Sequence, residues 1–147
     1  MKETEQKSTY FFVDESGDPN FYGKGGDIIV GLPGCSRILL LAFVRTDDPT
    51  PIRESLAELQ DQIVQDPYLK DIPSIRKTRM GFHAKDDCPE VRMMVYKVLA
   101  KLDFAAQVIV ARKIERMFRS SYKGNRDRFY QDLVGRLFQN QTHKART

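Results

Sequence analysis

Seven consecutive apolar residues, Ile38, Leu39, Leu40, Leu41, Ala42, Phe43 and Val44, lie between Arg37 and Arg45. A run this long and unbroken fits a strand buried on both faces, and such a strand requires packed layers above and below it. Phe104 to Ala111 repeats the pattern with Val108, Ile109 and Val110 at its centre. Thr9 to Val13 is a shorter β-branched and aromatic run that stops at Asp14 and the glycine behind it. Between the runs the period changes. Ile52, Leu56, Leu59 and Ile63 recur at four, three and four, which predicts an amphipathic helix with Asp48 or Thr50 as its cap. Val91, Met94 or Val95, Val98, Leu99 and Leu102 predict a second helix, opened near Pro89 with Asp87 or Cys88 as cap. Phe129, Leu133, Val134, Leu137 and Phe138 predict a third helix, over 126–139.

The glycine-rich segment 21–34 reads as a loop with a short strand at Ile28 to Val30. It is no phosphate cradle, because no Lys-Ser/Thr pair follows and no helix opens there. A short strand-like step is expected at Gly81 to His83. The resulting order is strand, strand, helix, short strand, helix, strand, helix. That order predicts an α/β, or mixed α+β, sheet with packed helices. A length of 147 residues suits a single domain, with polar tails at 1–8 and 140–147.

There is no run of about 18 apolar residues, so no membrane span is expected. Met1 to Lys7 is polar and mixed in charge, unlike a signal peptide. Cys35 and Cys88 have neither metal-site spacing nor a disulfide framework, which points to reduced thiols and a cytoplasmic protein. The net charge of +4 is concentrated. Arg112, Lys113, Arg116, Arg119, Lys123, Arg126 and Arg128 face only Glu115 and Asp127 across 112–128. Clustered cations neutralise phosphates and release counterions, so this segment is the candidate nucleic-acid contact. The same residues also read as a solvated helix face.

An aspartate closing an apolar strand is held rigidly, with its carboxylate projecting from the sheet end. Asp14 has that position, with Glu15 and Asp18 nearby and Gly17 allowing the backbone to turn. Clustered carboxylates are hard oxygen ligands suited to Mg²⁺ or Mn²⁺. The same five residues, Asp14 to Asp18, also make a good turn.

The run Tyr10-Phe11-Phe12-Val13-Asp14-Glu15-Ser16-Gly17-Asp18 resembles the opening signature of domain-of-unknown-function family 3800. Phe82-His83-Ala84-Lys85-Asp86-Asp87, followed by Glu90-Val91-Arg92, resembles a second motif of that family. Phe104 to Lys113 and Tyr130 to Leu137 resemble its next strand and helix, so the resemblance covers roughly 9–139. It implies a ribonuclease-H-like mixed sheet and a metal-dependent nuclease or related phosphodiester hydrolase. Asp14 and Asp87 would hold Mg²⁺ or Mn²⁺, and Asp14, Glu15 and His83 would be the catalytic set. Family members usually continue past the last helix into further strands with another acidic residue and a helix carrying an Ala-Asp pair. The resemblance therefore implies an N-terminal portion with little activity alone and an uncovered sheet edge prone to self-association. The alternative is a non-catalytic nucleic-acid-binding or interaction module.

Overall fold

The computed structural model describes residues 8–139 and Gln141. The expected tails lie outside the described residues, apart from Ser8 and Gln141. The elements are β1 (Tyr10–Ser16), β2 (Ile38–Thr46), α1 (Thr50–Gln65), α2 (Ile75–Thr78), α3 (Pro89–Leu99), β3 (Ala105–Arg112), α4 (Glu115–Tyr122) and α5 (Arg126–Phe138). This is a mixed α+β protein, as the patterning predicts. The three strands form one sheet in the order β1-β2-β3. β2 and β3 are antiparallel, with Leu39 opposite Ala111, Leu41 opposite Ile109 and Phe43 opposite Gln107. The described chain gathers into two compact units, one holding 8–10 and 46–104, the other 11–45 and 105–139 with Gln141.

The sheet unit is built on one face of the sheet. Leu39, Leu41 and Phe43 are buried, whereas the residues alternating with them are only partly covered or exposed. On β3, Val108 and Val110 remain 54% and 63% exposed. The expectation of strands buried on both faces is thus corrected: strand alternation separates a buried row from an open one. The buried row meets α5, which packs on β3 through Phe129, Leu133 and Leu137, spaced at successive fours along one helix face. Asn125 caps α5, its side-chain oxygen accepting the Arg128 N–H at 2.9 Å. α4 contributes a single buried residue, Phe118, whose ring stacks on Phe21 at 3.9 Å. Lys123, at φ +53°, and Gly124, at φ +68°, form the turn between α4 and α5.

Two expected short strands are absent from the described residues. Ile28 makes only an isolated bridge to Tyr22, within a loop where Gly26, Gly31 and Gly34 all adopt positive φ. Gly81 to His83 has no strand partner, because the His83 N–H is taken by a carboxylate of its own turn.

The helical unit closes its core with Leu59 and Ile63 of α1, Ile75 of α2 and Val91 of α3. Residues 67–80 include the single turn α2, and Gln60 ties it down by donating from Nε2 to the Thr78 carbonyl. α1 has Pro49 at its N-cap and no side-chain cap. Asp48 instead accepts the Thr50 N–H just ahead of the helix at 2.9 Å, a bond that holds its carboxyl below the ordinary range. α3 starts at Pro89 with Cys88 at its N-cap, again without a side-chain cap bond.

Candidate functional site

The strand expected to close at Asp14 runs on to Ser16, and its end is fixed by Gly17. Gly17 sits at φ +94°, and a Cβ there would lie 2.8 Å from the Ile38 carbonyl oxygen, a backbone atom of β2. Only glycine combines that conformation with that approach, so the chain turns away from the sheet immediately after Ser16. All of β1 is exposed, including Asp14 and Glu15. The Asp14 carboxylate accepts the Glu15 N–H at 2.9 Å. Glu15 takes the other side of the strand: its Oε2 accepts from the Tyr130 hydroxyl on α5 at 3.4 Å. Phe11, two pleats earlier, meets Phe43 and Phe138, so period-two alternation places Phe11, Val13 and Glu15 on the α5 face and Asp14 on the opposite one. Burial first, then the charge and hydrogen bond of Glu15, then the charge of Asp14, raise the Tyr130 phenol above its ordinary range.

Behind the strand end lies a knot around Lys113. Its side chain is 0% exposed. The ammonium donates to the Asp18 carbonyl at 3.2 Å, the Asn20 carbonyl at 3.0 Å and the Cys35 sulfur at 3.2 Å. The Asp18 carboxylate stands 3.9 Å away and itself accepts the Asn20 N–H at 2.8 Å. A buried charge is tolerated only when so surrounded. Charge patterning assigns Lys113 to nucleic-acid contact; the structure corrects this and places it inside the fold, because its three donors hold the turn that follows Asp14.

The other basic candidates of this unit lie at the surface: Arg112, Arg116, Arg119 and Lys123 are exposed. Arg119 donates to Glu115 at 2.8 Å and to the Tyr22 hydroxyl at 2.8 Å, with its guanidinium over the Tyr22 ring. Its charge is therefore shared with Glu115, while Lys123 projects from the left-handed turn.

His83 and Asp87 belong to the helical unit. Asp87 is buried, its Oδ1 accepting from the Thr78 hydroxyl at 2.7 Å and its Oδ2 from the His83 N–H at 2.6 Å. One oxygen closes the turn 83–87 and the other binds the Thr78 hydroxyl of α2, so the carboxylate that the resemblance assigns to a metal is engaged inside the fold. The His83 ring is exposed, with Nδ1 3.8 Å from Asp86, and Asp86 pairs with Lys77 at 2.9 Å. The Lys77 hydrogen bond is the first cause of the lowered Asp86 carboxyl.

Among the described residues, no group of three or more His, Cys, Asp or Glu side chains could hold a metal ion. On its own face of β1, Asp14 offers one carboxylate. That fits a largely hydrated Mg²⁺ or Mn²⁺, which needs only one or two carboxylates plus substrate phosphates, and does not fit an all-protein cage. Sequence reasoning missed Tyr130 and Cys35 as parts of this site, since neither carries a local motif. Comparison with protein-family models, curated proteins and solved structures finds no match. No helix among the described residues is long and apolar enough to cross a membrane.

Proposed function

We propose that this chain is a cytoplasmic, metal-dependent nucleic-acid phosphodiesterase domain of ribonuclease-H-like plan, as the two motifs resembling family 3800 imply. The observation that carries the reading is Asp14: an exposed carboxylate at the rigid end of β1, above a turn only glycine can make, bonded to the neighbouring backbone N–H of its own strand. Asp14 would hold Mg²⁺ or Mn²⁺, which supplies charge neutralisation at a phosphate. Tyr130 positions Glu15, and the exposed Arg112, Arg116, Arg119 and Lys123 would engage the phosphate backbone. His83 enters through motif resemblance alone. One carboxylate on the Asp14 face supports weak ion binding and slow cleavage by 1–147. β1 is an outer strand of the described three-stranded sheet, which supports self-association through an uncovered edge.

A second reading, binding without catalysis, is favoured by the surface cations of 112–123 taken alone. Binding of a labelled single-stranded oligonucleotide across a salt series separates the two. Replacing Arg116, Arg119 and Lys123 together by Gln should weaken binding. It should also flatten the slope of log K against log salt, by about 0.7 for each phosphate of a single strand that is no longer neutralised. Mn²⁺-dependent cleavage that disappears in Asp14→Asn, with binding intact, supports the enzyme. Binding with no cleavage at any Mn²⁺ concentration supports the module. Neither binding nor cleavage would overturn both.

A further inference from the structure

The Lys113 knot contains a pair that the functional reading does not use. Cys35 is buried, and its thiol donates to the Asn20 carbonyl at 3.6 Å. The Lys113 amine points at the same sulfur from 3.2 Å, through a side chain fully enclosed by the fold. The partners are 78 positions apart in sequence, so the contact is made by the tertiary structure and not by chain proximity. Enclosure matters chemically. A sulfenic acid formed on an exposed cysteine meets other thiols and water; one formed here meets an amine held against it.

We propose that Cys35 and Lys113 form a modification site, at which peroxide oxidation joins the two side chains by a sulfur–nitrogen bond. Hydrogen peroxide is the oxidant. In the first step Cys35–SH and H₂O₂ give Cys35–SOH and water; sulfur is oxidised and the O–O bond is reduced. In the second step the Lys113 ammonium releases a proton, its nitrogen attacks sulfur, the S–O bond breaks and a second water leaves. The product is Cys35–S–NH–Lys113, one H⁺ is released, and a thiol reductant reverses the bond. This parallels the condensation of a sulfenic acid with a backbone nitrogen. Lys113 leaves the reaction uncharged and with a single N–H. It can then no longer donate to both the Asp18 and Asn20 carbonyls, so oxidation loosens the turn behind Asp14.

The test treats the full chain carrying Cys88→Ser with hydrogen peroxide and reads intact mass, cross-linked peptides and amide exchange. The expected product is lighter than the reduced chain by two hydrogens. Its digest joins the Cys35 peptide to the Lys113 peptide, dithiothreitol restores the starting mass, and exchange across 18–20 becomes faster. Lys113→Arg should abolish the linked peptide; if that variant does not fold, the wild-type lysine mapped by fragmentation gives the same answer. A linked peptide that keeps the peroxide oxygen would overturn the condensation step. Cys35 found only as sulfenic or sulfinic acid, with Lys113 unmodified, would overturn the site.

Discussion

Asp14 and Asp87 each stand beside another acidic residue, Glu15 and Asp86, but the fold uses them oppositely. The Asp87 carboxylate is enclosed, with one oxygen on the Thr78 hydroxyl and the other on the His83 N–H. The Asp14 carboxylate is at the surface and accepts the next N–H along its own strand. A carboxylate whose oxygens are both engaged inside the fold holds the chain in shape. One left at the surface of a rigid strand end keeps lone pairs for something outside the protein. Motif position alone does not separate these cases; the partners of the oxygens do.

The sharpest way to break that contrast is to remove each carboxylate in turn. Asp87→Ala leaves a buried hydroxyl and a buried N–H without their acceptor, and should cost about 3 kcal/mol in chemical denaturation. A cost under about 0.5 kcal/mol, the range of an ordinary surface change, would mean that the turn does not depend on Asp87.

Gly17→Ala tests whether the Asp14 strand end is as rigid as described. A positive φ combined with a Cβ against the Ile38 carbonyl should cost about 2 kcal/mol, read as a lower melting temperature. No loss of stability would show that the turn can relax and that Asp14 is not rigidly presented.

Acid titration extends the contrast to a third carboxylate. Asp132 on α5 accepts from the Tyr122 hydroxyl at 2.7 Å and from Arg136 at 2.8 Å, and these bonds, Tyr122 first, hold its carboxyl below the ordinary value. Its folded pKa is depressed, so its stabilising contribution is fully present above the unfolded value, near 3.9, and is lost as pH falls through the folded value. Asp132→Asn should flatten the fall in stability below about pH 4, measured by urea denaturation across a pH series. An unchanged acid limb would remove Asp132 from the engaged group. At the small end, Asp14→Asn should change stability by less than about 0.5 kcal/mol, since only one local bond at an exposed site is altered.

The strands and α5 are legible in the sequence because apolar runs and a four-residue stripe dominate them: Leu39, Leu41 and Phe43 on β2, and Phe129, Leu133 and Leu137 on α5. α4 is missing from the predicted order of elements, because Phe118 is its single buried residue and too few apolar positions accompany it to make a stripe. The strand predicted at Ile28 fails for a related reason. A short apolar triplet among glycines with positive φ cannot hold a ladder. The acidic strand end is visible as a motif, but its support is not. Tyr130 reaches Glu15 across 115 positions, and Lys113 reaches Asp18 across 95. Charge counting assigns a lysine to the surface by default, since lysines are almost never fully buried unless paired; only the tertiary fold shows that this one is enclosed by carbonyls and a sulfur.

Mn²⁺ titration followed by paramagnetic broadening of amide signals tests the central claim, that Asp14 presents its carboxylate outward and Asp87 does not. Binding should be weak, in the millimolar range typical of a site with few carboxylates. Broadening should centre on residues 13–16, spare the amides around Asp87, and vanish in Asp14→Asn while the remaining spectrum stays folded. Broadening centred on 83–87, or tight binding that survives Asp14→Asn, would contradict it.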